Sequence, residues 1–345
     1  MRKESSILVL LLALCAVTTA LNPRFVSAVN LLNTANMVGL FGLLSLGLGV
    51  VIIAGGIELS VGSMLALTGV LLSMALTEWG WPWPWAAAGA VALPMALGWM
   101  HGALVTRLNI QPFIVTLCGL LLYRGLARFV AGESTKGFGD AAGFEALQTL
   151  ARGKVLGLPA PFVVLLVVSA MMWVVLHRSV YGRYLFAVGR NEAAARLSGI
   201  NTRRVVVSSY VIAGALTGVA GILFAFYTNS ISPSTHGNFY ELYGIAAAVV
   251  GGCSLRGGEG SVAGILIGTA LLQVLQNLVN LLGIDSSLNF AVMGGVVLVG
   301  VMADEWFARR RARGTCADAR PTPSPTGGAT ATQQRNESST TEINR

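Results

Sequence analysis

The sequence is poor in charge. Of its 345 residues only 11% are charged while 54% are hydrophobic, roughly half the ~25% charged share of an ordinary soluble domain. That balance excludes a soluble globular fold. Cysteine is scarce too: Cys15, Cys118, Cys253 and Cys316 lie far apart, with no C-x-x-C step and no His/Cys cluster. A metal centre and a disulfide framework are therefore both excluded, and the cysteines read as packing residues. The one Gly-Lys step is Gly153-Lys154-Val155, so the glycine-rich phosphate cradle of a Walker A loop is missing. No catalytic triad or paired-histidine motif stands in its place. The chain is read as no enzyme and as holding no cofactor, so any energy it uses has to come from another subunit.

What the sequence does have is long apolar runs, at about 6–22, 35–54, 59–77, 84–106, 111–131, 160–177, 204–227, 242–252, 260–282 and 287–304. A helix crosses the ~30 Å hydrocarbon core in about 20 residues, which most of these runs supply. The expected fold is an all-α integral membrane protein, a polytopic bundle of about 10 transmembrane segments with one or two broken or re-entrant helices. The eighth run, Leu242 to Gly252, is too short for a straight span and is the first candidate for a re-entrant or broken helix, extended by the loop after it.

The net charge of +8 would suit a nucleic-acid surface, but its placement argues otherwise. With Arg2 and Lys3 in the cytoplasm and sides alternating, Arg107, the group Arg178, Arg183, Arg190, Arg196, Arg203 and Arg204, then Arg256 and Arg309, Arg310, Arg311 and Arg313 all fall inside. Outside loops receive Arg24, Lys136, Arg152 and Lys154, three of them in a loop that also carries Glu133, Asp140 and Glu145. This is the positive-inside pattern of a plasma-membrane protein with both termini cytoplasmic, and it leaves no role for nucleic acid. Met1–Ala20 also has the form of a signal peptide. A retained first helix is expected instead, since nothing later resembles a secreted domain.

The sequence divides into three regions. Residues 1–34 hold the cytoplasmic tip, first helix and outer loop, and 35–305 form the transmembrane domain. Residues 306–345 are a polar tail too poor in apolar side chains to bury a core; its Asn336-Glu337-Ser338 sequon is read as chance. An internal echo links Gly55-Gly56-Ile57-Glu58-Leu59 to Gly251-Gly252-Cys253-Ser254-Leu255. Repeats whose broken helices meet at a substrate path produce such echoes, and so does glycine-rich coincidence.

The longest inner loop, 178–204, carries the most information. Asn191 is an N-cap, Glu192 is acidic in the first turn, Ala193, Ala194 and Ala195 are helix formers and Gly199 is a stop, which together predict a short surface helix ending near Leu197. Gly182, Gly189 and Gly199 are read at turn positions. The loop resembles the ATPase-contacting segment of ribose-type permeases in the ATP-binding-cassette importer superfamily. The pattern is carried by Gly182-Arg183, Ala187 with Gly189 and Asn191, Ala194-Ala195 and Ser198-Gly199-Ile200. Family-like stretches occur elsewhere in the right order: Gly55 to Ser63, Gln111 to Leu117, Arg124-Gly125, Tyr240-Glu241-Leu242, Ile245 to Gly252 and Gly257 to Ser261. The resemblance covers about residues 35–305. Three positions depart from it: Glu58 stands where the family usually has Asp, His101 where it has Asn, and Leu278 where it has Gly.

The resemblance implies a permease subunit that passes a monosaccharide delivered by a periplasmic binding protein. A separate ATPase subunit, which would bind the ATP and Mg, would dock at Gly182, Arg183, Gly189, Asn191, Glu192, Ala194, Ala195, Ser198 and Gly199. A second permease copy, identical or related, would complete the path under two-fold symmetry. Path residues are expected among Glu58, Ser60, His101, Phe113, Thr116, Arg124, Glu241 and Asn277. Glu58 lies between Gly55-Gly56 and Gly62, where the backbone can break; it reads either as a path carboxylate or as a cap on the helix beginning near Ser60. Arg124 reads as a donor to sugar hydroxyls or as an arginine reaching the outer headgroups, the latter favoured for Arg128. Glu241 would pair with such an arginine or meet the delivering receptor. Trp79, Trp81, Trp83 and Trp85 read as interfacial anchors. A branched-chain amino-acid permease and a secondary transporter are the alternatives, the latter weakened because the spans carry almost no carboxylate apart from Glu58.

Overall fold

The computed structural model of the chain describes residues 2–285 except Asp140, together with isolated positions from Leu288 to Met302. The chain divides into two compact units, Met1–Val301 and Met302–Arg345, and the helical bundle is the first of these. Most of the tenth apolar run, 287–304, and the tail lie outside the described residues.

Each of the other nine apolar runs is a helix. In order they are α1 (Arg2–Leu21), α2 (Ala28–Ile53), α3 (Val61–Thr77), α4 (Trp83–Arg107), α5 (Pro112–Ala131), α7 (Ala160–Trp173, continued by a π turn to Arg178), α10 (Thr202–Thr228), α11 (Tyr240–Val250) and α12 (Val262–Leu281). Between α5 and α7 come β1 (Lys136–Gly137), α6 (Glu145–Arg152), β2 (Lys154–Val155) and β3 (Leu158–Pro159). The long loop before α10 holds α8 (Val180–Arg190) and α9 (Glu192–Leu197), and β4 (Ser230–Ile231) precedes α11. Among the described residues, seven helices are long and apolar enough to cross a membrane; α3 and α11 are apolar but shorter.

α2 is the axis of the bundle. From Val38 to Ile53 every residue is buried, because α10, α11, α12 and α7 pack around it. The run is hydrophobic all round, as a helix enclosed on every side must be. Small residues let backbones close in: a Cβ on Gly39 would meet Phe162 N at 2.5 Å, and one on Gly214 would meet Pro94 O at 2.2 Å. Close approach through glycine is how apolar helices gain contact where the surroundings are equally apolar.

Three expectations are corrected by the fold. α2 begins at Ala28, capped by Ser27, so the expected boundary at 34/35 falls inside a helix. The apolar count misses its first turns because Asn30, Thr34 and Asn36 are polar. Asn30 and Thr34 are satisfied by Asn277 on α12, which donates to Asn30 Oδ1 at 2.9 Å and Thr34 Oγ1 at 2.9 Å. Gly182 and Gly189 are interior to helix α8 rather than at turns; what they supply is space for other backbones to pass. The chain that lengthens α11 also comes before it, as the non-helical run Ser232–Phe239, as well as after it.

At the Trp79 end, β1 pairs with β4, and Phe138 stacks on Phe226 with ring centroids 4.1 Å apart, closing the long loop over α10. Gly143 N–H donates to Glu145 at 3.0 Å and holds its carboxyl below the usual carboxylate range. Trp79, Trp81 and Trp85 are exposed there, as interfacial rings are.

Candidate functional site

The glycine pairs of the internal echo are helix stops with one geometry. Gly55 (φ 83°) and Gly252 (φ 95°) take the left-handed conformation. The next N–H in each case reaches back five residues, Gly56 to Val51 O and Cys253 to Ala248 O, both at 2.9 Å. This is the Schellman stop, which only glycine enters without steric cost. The equivalence pairs Gly55 with Gly252, one residue out of register with the sequence echo. After each stop the chain runs non-helically to a serine, Ser60 or Ser261, and a new helix starts.

The two breaks meet, and α8 closes on them. Gly258 N donates to Ile53 O at 2.9 Å. A Cβ on Gly189 would lie 1.8 Å from Ile53 O, and one on Gly257 would lie 2.6 Å from Gly189 O and 2.9 Å from Gly55 Cα. Three backbones thus cross where side chains have no room, which is why glycine stands at 189, 257 and 258, while Gly55 is required by its left-handed turn. Gly182 serves the same end, with Leu176 O at 2.0 Å from a built Cβ.

α9 is the short helix the sequence predicts. Asn191 Oδ1 accepts from Ala194 N at 2.9 Å, the helix ends at Leu197, and Gly199 (φ 83°) stops it. Glu192 accepts from Arg196 at 2.8 Å and from Thr202 Oγ1 at 3.0 Å. Arg183, Asn191, Glu192, Ala194, Ser198 and Gly199 are exposed, Gly189 is half-buried, and Gly182 and Ala195 are buried. The last two shape the surface from beneath. Leu197, which the motif match does not single out, is 91% exposed. An apolar side chain so free on a capped helix is the signal that marks it.

Deeper in the bundle, Glu58 is engaged through both of its carboxyl oxygens. Its Oε1 accepts from Ser60 N at 2.7 Å and Ser60 Oγ at 2.6 Å, capping the start of α3. Its Oε2 lies 2.7 Å from His101 Nδ1, and His101 Nε2 lies 2.7 Å from Tyr123 Oη. His101 thus bridges Glu58 and Tyr123 through its two ring nitrogens. Glu58, His101 and Tyr123 are all nearly fully buried. Two of the three departures from the family pattern, Glu58 and His101, are therefore each other's partners.

Tyr123 is absent from the sequence-derived site, yet its position announces it. Thr116, Gly119, Tyr123 and Ala127 recur at helical spacing and form the buried face of α5. A Cβ on Gly119 would meet His101 Nε2 at 2.7 Å, and Thr116 Oγ1 approaches Ile57 O at 3.4 Å. Tyr210 Oη donates to the same carbonyl at 3.2 Å. Phe113, one turn before Thr116, is 49% exposed and does not join the cluster. Asn277 does not join it either, being engaged with Asn30 and Thr34.

Arg124 acts on backbone. Its Nη1 donates to Pro233 O at 3.1 Å and His236 O at 2.7 Å, satisfying carbonyls of the non-helical run before α11. Non-helical backbone inside a membrane protein requires such a partner. Glu241, expected to pair with an arginine or face a receptor, is 7% exposed. It lies against Gly62, 2.5 Å from a Cβ built there, and within electrostatic range of Arg124 and Glu58. Arg128 pairs instead with exposed Glu133 at 2.9 Å.

Broken apolar helices, a buried polar cluster at the break and a capped helix outside the bundle define a multi-pass membrane permease. The chain belongs to the family described as branched-chain amino acid transport system / permease component, whose model matches residues 30–302. It is 38% identical to the ribose import permease protein RbsC of Bacillus subtilis over 85% of this chain and 90% of that protein. The ribose import permease protein RbsC of Escherichia coli K12 is 37% identical over 87% and 93%. The fructose import permease protein FrcC of Rhizobium meliloti is 30% identical over 88% and 85%. No solved structure matches.

Proposed function

We propose that this protein is the membrane subunit of an ATP-binding-cassette importer for a monosaccharide, a ribose-like pentose or a hexose such as fructose. The similarity to sugar import permeases along nearly their whole length supports that cargo over the branched-chain amino acid named in the family's description. The subunit sits in the bacterial inner membrane with about ten spans, counting 287–304, and with both termini cytoplasmic. α11 with the run before it is the re-entrant element.

The observation that carries the mechanism is the glycine crossing. α8 lies directly on the α2–α3 and α11–α12 breaks, so a displacement of α8 and α9 moves both breaks together. A separate ATPase, holding ATP and Mg, docks on α8 and α9 through Arg183, Asn191, Ala194, Ser198 and Leu197. The groove beside α9, lined by Thr106, Asn109, Arg196 and Arg203, extends that surface. Closure of two ATPases then rocks two permease copies between outward and inward access, an interface with two discrete arrangements. A periplasmic binding protein presents the sugar from the Trp79 side.

The test is affinity purification of the tagged full chain from its native membrane, wild type against Arg183→Glu with Asn191→Ala, followed by reconstitution with ATP and the binding protein. Copurification of an ATPase with wild type, its loss from the variant, and ATP-dependent uptake of D-ribose or D-fructose are expected. Wild type that purifies alone and moves sugar without ATP would falsify the reading in favour of a secondary transporter.

A further inference from the structure

The non-helical run Ser232–Phe239 sits at a depth that its exposed residues do not fit if lipid surrounds them. Arg124, which holds its carbonyls, lies seven residues below the Ala131 end of α5, about 10 Å at 1.5 Å per residue. Gly237 presses on Gly62, where a built Cβ would meet Gly237 O at 2.2 Å. Gly62 is fifteen residues below the Thr77 end of α3, about 22 Å. The run is thus well inside the hydrocarbon layer. At this depth Ser234, Thr235 and Asn238 are nonetheless exposed, and polar groups there face a water-filled cavity or other protein.

Two further observations point to a ligand. His236 is 7% exposed and its Nε2 is buried with no hydrogen-bond partner, which is rare for a buried polar atom and is answered by a ligand hydroxyl. Phe239 adopts a left-handed backbone, φ 66° and ψ 7°, at the first turn of α11, a region non-glycine residues seldom enter. Leu242 N and Tyr243 N bond to its carbonyl at 3.0 Å and 3.2 Å and lock that turn, while its ring stays 48% exposed. A large aromatic ring held out beside three short hydrogen-bonding side chains matches a sugar, which has one C–H face and a rim of hydroxyls.

We propose that the tip Ser234–Phe239 is the sugar-contacting wall of the translocation path. Ser234, Thr235 and Asn238 exchange hydrogen bonds with cargo hydroxyls, Phe239 stacks on the ring, and His236 completes its bond to the passing sugar. This deepens the permease reading and rests on it. It also separates two groups of buried polar residues: Glu58, His101 and Tyr123 hold the break, while the tip touches the cargo.

The experiment uses the full chain reconstituted with its ATPase and binding protein. Single cysteines at Thr235, Asn238 and, as a lipid-facing control, Leu121 are introduced after the native cysteines are replaced. A charged, membrane-impermeant thiosulfonate is the probe, applied with and without saturating D-ribose, at rest and during ATP turnover. Labelling at 235 and 238 should exceed that at 121 at least tenfold and slow at least threefold with ribose. In parallel, Asn238→Ala and Phe239→Ala should lower D-ribose uptake at least fivefold with ATPase copurification unchanged. A wild type that transports while 235 and 238 label as slowly as 121 in every state overturns the proposal, as does full uptake by both alanine variants. A wild type with neither ATPase nor uptake overturns the permease reading itself, and the tip proposal with it.

Discussion

The two ends of the bundle are built on opposite terms. At the Gly55 end, backbone packs on backbone and the polar groups are sealed: Glu58 and His101 are 2% and 1% exposed. At the Trp79 end, polar groups meet in water: Arg128 and Glu133 pair at 51% and 62% exposure, and Lys136 bonds Glu78 at 2.6 Å. Side-chain pairs of similar length differ in consequence because water answers for a lost partner at one end and nothing does at the other.

The sharpest way to break this contrast is His101→Ala, which strands Glu58 in the interior. It should cost about 3–5 kcal/mol, from an emptied ring-sized site and an unmet buried carboxyl oxygen, read as a fall in thermal midpoint in detergent, and Glu58→Gln added to it should restore part of the loss. Gly189→Ala comes next, since its new methyl overlaps Ile53 O; overpacking of this kind costs about 1–3 kcal/mol. Sugar uptake should drop at least tenfold in that variant while ATPase copurification survives. Replacing Asn277 with Ala removes the amide ties between α12 and α2 and should cost about 0.6–1.7 kcal/mol, with uptake kept near the wild-type rate. Smallest of all is Arg128→Ala, where water replaces the lost partner: the thermal midpoint should stay within error of wild type, and any difference should vanish in high salt. Should Arg128→Ala prove as damaging as His101→Ala, the two ends are not built differently.

Much of the architecture is legible in the sequence. Apolar runs locate nine helices because each must bury or face hydrocarbon along its whole length, and the cap at Asn191 is local chemistry. The short surface helix α9 is legible for the same reason, as a capped segment in a basic loop. What escapes is non-local. The start of α2 hides behind Asn30 and Thr34, whose satisfaction depends on Asn277 more than 240 residues away. Gly189 looks like a turn residue until Ile53 and Gly258 are seen against it. Tyr123 and Arg124 are neighbours in sequence, yet one completes the Glu58 network and the other holds the carbonyls before α11. Depth and periodicity distinguish their faces but do not name their partners.

Arg124 also sets a schedule. Its carbonyl partners lie 109 and 112 residues further along the chain, and synthesis at about 5–20 residues per second delivers them only several seconds later. Until then the helix carrying Arg124 has entered the bilayer with its guanidinium unclaimed. The first half of the molecule is therefore inserted on credit, and a ribosome that stalls before residue 233 leaves behind an unpaired charge for quality control to recognise.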